Sequence, residues 1–210
     1  MKIKFILPFI LLPFLAVSQF AQKKVYDIKK TNIKPKIDGV INDLVWKNLK
    51  SANNFTQFKP NNGLLERTTH KTEVKICYDN QNIYFGLIAN DNAPDSILKE
   101  LGKRDDDRKN YDLFGIILDP FNNTQVEYNF IITASGVQID KKMSKDGGDK
   151  SWNAVWKSAV DINDRGWSAE IAIPLSQIRF PDNDQAWALN MFRNIRRYRE
   201  EYSWNPIDVK

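Results

Sequence analysis

The chain has 210 residues, 42% of them hydrophobic, with one cysteine and a formal charge of +5. That length can bury a core without staples, and a single cysteine excludes a disulfide-framed miniprotein. The charge excess is mild, with acids and bases interspersed, so composition gives no nucleic-acid signal.

Residues 1–18 read as a cleaved signal peptide. Lys2 and Lys4 precede a short apolar run from Phe5 to Val17, and Ala16-Val17-Ser18 supplies a small-x-small cleavage site, so the mature chain starts at Gln19. The run is too short to span a bilayer comfortably, and no cysteine follows it for lipid attachment. Export to the periplasm, the outer membrane or the extracellular space is expected. Losing the two lysines takes the formal charge from +5 to +3. Residues 19–35, polar and lysine-rich, read as a mobile lead-in to one domain over 36–210.

Ile37-Asp38-Gly39 opens a turn, and Leu44-Val45-Trp46 forms a short helical turn that Asp43 can cap and under which Trp46 tucks. His70 reads as an exposed loop-edge residue. From Glu73 to Tyr78 apolar and polar residues alternate, Asp79-Asn80-Gln81-Asn82 makes a turn, and Ile83–Ala89 returns as the second arm of a hairpin. Cys77 is expected to be buried there. A third strand, Asp112–Phe121, follows an acidic insert. Further strands are predicted at 127–132, 137–143, 154–160, 167–173 and 186–192, divided by Asn122-Asn123, Ser135-Gly136, Asp146-Gly147-Gly148-Asp149, Asn163-Asp164-Arg165-Gly166 and Asp182-Asn183-Asp184. Pro174–Ile178 makes a second helical turn. Many short strands with no long helical period predict an all-β antiparallel sandwich, jelly-roll or immunoglobulin-like. The end, Asn205–Lys210, shows no closing strand, so the domain reads as truncated and as the first piece of a longer protein.

No catalytic machinery is visible. His70 is the only histidine, no Cys/His cluster suits zinc, and Gly147-Gly148 has no helix behind it to cradle phosphate. The chain reads as a non-enzyme; hydrolysis of glycosidic bonds would belong to a longer protein. The aspartates at 105, 106, 107, 112, 146 and 149 sit in loops whose carboxylates suit calcium, although Arg104, Arg108 and Lys109 offer them salt bridges instead. Trp152, Trp156, Trp167, Trp187 and Trp204 fall in the second half. Trp167 and Trp187 fit the core, whereas Trp152, beside the Asp-Gly-Gly-Asp loop, is the ring expected to face a ligand. Arg193, Arg196, Arg197 and Arg199, with Tyr198 and Tyr202, read as a solvated edge strand or a contact with a following domain.

Ile37-Asp38-Gly39 with Trp46, the Val74–Ala89 hairpin, Asp112–Pro120 and Gly166–Pro174, in that order, resemble family 9 carbohydrate-binding modules over about residues 36–206. Asp149–Trp156 and Tyr202–Pro206 are similar to a subgroup at the start of large bacterial envelope proteins, where the module precedes an outer-membrane-barrel-like part. The resemblance implies a β-sandwich, sugar binding, bound Ca2+ and a part in carbohydrate catabolism. In sugar-binding members two tryptophans sandwich the ligand. One of those positions falls at Lys109, three residues before Asp112; a glutamate position falls at Gly115 and a strand arginine at Asn129. The second tryptophan falls at Trp204 or past Lys210. The expected ligand set is therefore Trp152, Trp204, Asp112, Asn129 and Lys109, with Asp105, Asp107 and Asp149 as calcium ligands. The implied partners are a glycan or oligosaccharide and a downstream β-barrel. The alternative is a docking module that holds that barrel through the Arg193–Arg199 edge and binds no sugar.

Overall fold

A computed structural model describes residues 23–106, 110–149, 151–183 and 186–207. The strands, in chain order, are β1 (Lys29–Lys30), β2 (Thr56–Lys59), β3 (Thr72–Tyr78), β4 (Asn82–Asn90), β5 (Leu113–Asp119) and β6 (Val126–Thr133). They continue as β7 (Gln138–Ser144), β8 (Gly147–Asp149), β9 (Lys157–Asn163), β10 (Gly166–Pro174), β11 (Ala188–Ile195) and β12 (Glu200–Ser203). One sheet has the order β1-β3-β4-β10-β9 and the other β2-β12-β11-β5-β6-β7-β8. Every neighbouring pair is antiparallel except β1 on β3. The predicted all-β sandwich is what forms.

Alternation explains how the sheets meet, because successive side chains leave a strand on opposite faces. Val74, Ile76, Phe85 and Leu87 of one sheet and Phe114, Ile116, Phe130, Ile132 and Met191 of the other fill a shared core. Burying each such side chain contributes about 1.5–3 kcal/mol. The β3–β4 hairpin runs from Thr72↔Ala89 to Tyr78↔Ile83, and the Asp79 carboxylate closes its turn by accepting from the Gln81 and Asn82 N–H groups. Cys77 is buried as expected, and burial pushes its thiol up to about 12.

The Asp-Gly and Trp signals come together on Glu170. Its carboxylate, wholly buried, accepts from Trp46 Nε1 at 2.8 Å, Asp38 N at 2.9 Å and Gly39 N at 3.1 Å. Gly39 has φ +91°, and a Cβ there would sit 2.6 Å from the Val160 carbonyl carbon, so only glycine brings this loop so close. The helical turn α1 (Leu44–Lys47) tucks Trp46 under it as predicted. Asp43 does not cap it; the carboxylate accepts from Lys36 N at 2.7 Å instead.

Other expectations are corrected. From residue 23 the lead-in is laid onto the fold: β1 pairs with β3, and Tyr26 Oη accepts from Ile76 N at 2.9 Å. The strand predicted at 154 starts at Lys157, because Asp140 draws Ala154 N and Trp156 Nε1 to itself, at 2.7 and 3.1 Å. Gly147–Asp149, expected as a turn, is the short strand β8. The predicted turn at Pro174–Ile178 appears as the 3-10 turn Leu175–Gln177, with others at Thr68–His70, Pro94–Ser96 and Arg196–Tyr198. A strand does form near the C-terminal end: β12 lies between β11 and β2. Beside it Asn205 accepts from Lys24 N at 2.7 Å and donates to Leu189 O at 3.1 Å.

Candidate functional site

Two places in the seven-stranded sheet concentrate polar and aromatic side chains, one on each face. The inner one lies between the sheets. Arg193, wholly buried, donates from Nη1 to His70 O and from Nη2 to Asn90 O, each at 2.9 Å, so β11 is tied to the far sheet. Arg197 makes a two-pronged pair with Asp91, both contacts 2.7 Å, and this hydrogen bonding holds its guanidinium firmly protonated. His70 is buried rather than exposed; its Nε2 lies 3.0 Å from Arg197 Nη2, and desolvation lowers its pKa. β11 is therefore no edge strand: it has neighbours on both sides, and Arg193 and Arg197 serve interior carbonyls and a carboxylate, whereas Arg196 and Arg199, in the turn beyond it, are exposed. Tyr198 sits between the guanidiniums of Arg67 and Arg197, 4.7 and 4.5 Å from its ring centroid.

The outer face is different in kind. Gly115 stands opposite Phe192 on one side and Ile131 on the other, and Phe192 stands opposite Ser203. Ile117 stands opposite Asn190 and Asn129, and Asn129 opposite Lys141. Tyr111, Ile131 and Ile139 form a small apolar cluster here, with Leu113 and Phe192 packed on it and partly exposed. Mid-strand glycine is costly unless something must come close. Here a Cβ on Gly115 would lie 2.2 Å from Cε1 and Cζ of Phe192, so the ring leans across β5 onto the bare backbone.

The expected ligand residues do not form one site. Asp112 is wholly buried beside Arg193 and Arg197; its Oδ1 accepts from Arg196 N at 2.9 Å, Oδ2 has no partner, and desolvation pushes its pKa up to about 6. Trp204, 4% exposed, belongs to the core, with no ring face left for a sugar. Trp152 is partly buried on the inner side, its ring 5.4 Å from Tyr128 and 5.8 Å from Phe130. Asn129, between those two residues in β6, points to the opposite face. Only Asn129 and the Gly115 position lie on the outer face, and Lys109 falls outside the described residues. Phe192 was not singled out in the sequence, although Asn190, Phe192 and Asn194 share one face of β11 and Phe192 stands opposite a mid-strand glycine.

Of the calcium residues, Asp107 lies outside the described residues. Asp105 accepts from Asp140 N at 3.0 Å and lies 3.7 Å from Arg104 Nε, and the exposed Asp149 accepts from Ser151 N and Oγ. Among the described residues no three acidic, histidine or cysteine side chains converge as a metal site. These donors do not fit calcium without further ligands.

The model of the carbohydrate family 9 binding domain-like family matches residues 37–200. The chain belongs to that family. No curated protein matches it. Among solved structures, a family 9 carbohydrate-binding module from Caldicellulosiruptor kristjanssonii in complex with cellotriose is similar at TM-score 0.58 and 16% identity, over 85% of this chain and 88% of that one. The same module in complex with glucose gives TM-score 0.59 and 16% identity over 85% and 90%. A protein from Bacteroides uniformis ATCC 8492 gives TM-score 0.64 and 12% identity over 87% and 90%. At such identities the likeness is one of fold. As a family 9 module the chain has a binding-domain architecture, and its Asp-Gly, Trp46 and Glu170 anchor lies inside the matched span.

Proposed function

We propose that this family 9 module is an exported, non-catalytic glycan- or oligosaccharide-binding domain. The observation that carries the reading is the family match over residues 37–200 on two packed sheets. The signal-like residues 1–18 support export, and calcium would act as an added stabiliser with Asp105, Asp107 and Asp149 as its expected ligands. The Asp149–Trp156 and Tyr202–Pro206 segments support membership of the envelope subgroup, hence service to a downstream outer-membrane barrel in carbohydrate catabolism. The second reading, docking on a downstream barrel through the Arg193–Arg199 segment, would have to use the exposed Arg196, Tyr198 and Arg199, since β11 itself has a neighbour on each side.

Calorimetric titration of the purified chain with glucose and cellotriose tests this, run with calcium and again with a chelator. Saturable heat with either sugar is expected. A folded chain that binds neither these nor a wider saccharide panel would remove the reading, and identical affinity in chelator would remove calcium from it.

A further inference from the structure

We propose that the free edge of the five-stranded sheet, strand β9, is a docking surface for the β9 of a second copy of this chain. The two edges pair antiparallel about a two-fold axis at Ala159 and join the two five-stranded sheets into one. The inference goes beyond the carbohydrate-binding reading and does not depend on it.

A sheet edge presents a row of unpaired backbone N–H and C=O groups, and proteins ordinarily blunt such edges. Among the described residues three of the four edges are short or covered. β1 has two residues and β8 three, and β2, four residues long, is bridged on its open side by Leu65 opposite Thr56. β9 is the exception. It runs seven residues, Lys157–Asn163, in unbroken register with β10, without proline or glycine. Among the described residues no backbone group of β9 bonds to any strand or loop beyond β10.

Nothing described lies across that edge. The turn at Gly39 sits over the outer face instead, where its N–H donates to Glu170 and its carbonyl accepts from Ser168, both residues of β10. On the inner side an open cleft of about 380 Å3, lined by Leu101, Arg104, Val137, Gln138 and Ser158, runs beside the start of β9. Leu101, 75% exposed, is an apolar side chain left facing water there.

Charge decides the occupant. In an antiparallel pair, residues directly opposite each other share a face and interact. Pairing β9 with itself about Ala159 puts Lys157 opposite Asp161 of the second copy, and Asp161 opposite that copy's Lys157. Both lie on the outer face, away from Val160 and Ile162, which pack on the core. Lys157 is exposed and has no ion pair among the described residues, and Asp161 meets only the Asn163 amide, at 3.1 Å. One strand therefore carries both halves of a two-fold set of ion pairs. Sliding the axis to Val160 loses both pairs, and sliding it to Asp161 sets two carboxylates against each other, so charge fixes the register as well.

Sedimentation equilibrium of the purified chain tests this, and a concentration-dependent monomer–dimer equilibrium is expected. Asp161→Lys and, separately, Lys157→Asp each set like charges opposite one another twice. Either should weaken the dimer about tenfold, with circular dichroism unchanged. Lys157→Asp combined with Asp161→Lys sets opposite charges together again and should restore the dimer. A wild-type chain that stays monomeric at every concentration overturns the proposal. A dimer indifferent to both single changes, or one that the double exchange does not restore, overturns it too. Sugar binding is read separately by the calorimetric titration, so none of these outcomes bears on that reading.

Discussion

Glu170 is a carboxylate held by three donors from residues more than a hundred positions away. Hydrogen bonds to a charged acceptor contribute about 1.5–3 kcal/mol each, and leaving the donors buried and unpaired costs more. Glu170→Ala is expected to lower stability by about 3 kcal/mol in urea unfolding, with Trp46 fluorescence shifting red as its indole loses the contact. Asp112 predicts a pH dependence. Its folded pKa, about 6, lies above the ordinary 3.8, so the folded state favours the proton and that stabilisation is present below pH 3.8. It is lost as pH rises through 6. Asp112→Asn should therefore flatten the stability profile between about pH 4 and 6, read by urea midpoints across that range. The Cys77 thiol, pushed up to about 12 by burial, should resist a thiol reagent in the native chain and react on denaturation.

At the scale of elements, strand β11 carries two jobs on its two faces. Inward, Arg193 ties its sheet to the carbonyls that end the 3-10 turn Thr68–His70 and strand β4. Arg193→Met would leave those carbonyls without their donor and take a positive charge away from the buried Asp112. A loss of about 3–5 kcal/mol in thermal or urea unfolding is expected. Outward, Phe192 and Asn194 stand beside unpaired polar groups. Both faces were present in the alternation Asn190-Met191-Phe192-Arg193-Asn194, yet the arginine spacing alone reads as a solvated edge. Whether a strand is an edge depends on its neighbours, and those are β5 and β12, far apart in the chain. The strand start at Lys157 was hidden for a related reason: Asp140, a residue of β7, claims the backbone at Ala154.

For the whole molecule, the first and last described segments meet at Asn205, which bonds Lys24 on one side and Leu189 on the other. Asn205→Ala should loosen residues 23–31 first, seen as faster amide exchange and earlier proteolysis there, at a cost of about 1–2 kcal/mol overall. The neighbouring strands β12 and β2 complete the seven-stranded sheet, so the same change should weaken Trp204 packing only slightly.

Local sequence determined the sandwich, because period-2 alternation and turn residues act within a few positions. The β3–β4 hairpin, β5, β6 and β10, and the Trp46 tuck, were all legible that way. Chemistry on the faces was not. Trp152 and Trp204 look alike as aromatics beside polar loops, but one is wedged on Tyr128 and Phe130 and the other is core. Asn129 and Gly115 came from family resemblance, and Phe192 joined them only when β11 was placed against β5. Which face of a sheet meets water, and which polar atoms are left without partners, is set by long-range strand pairing, and no spacing along the chain encodes it.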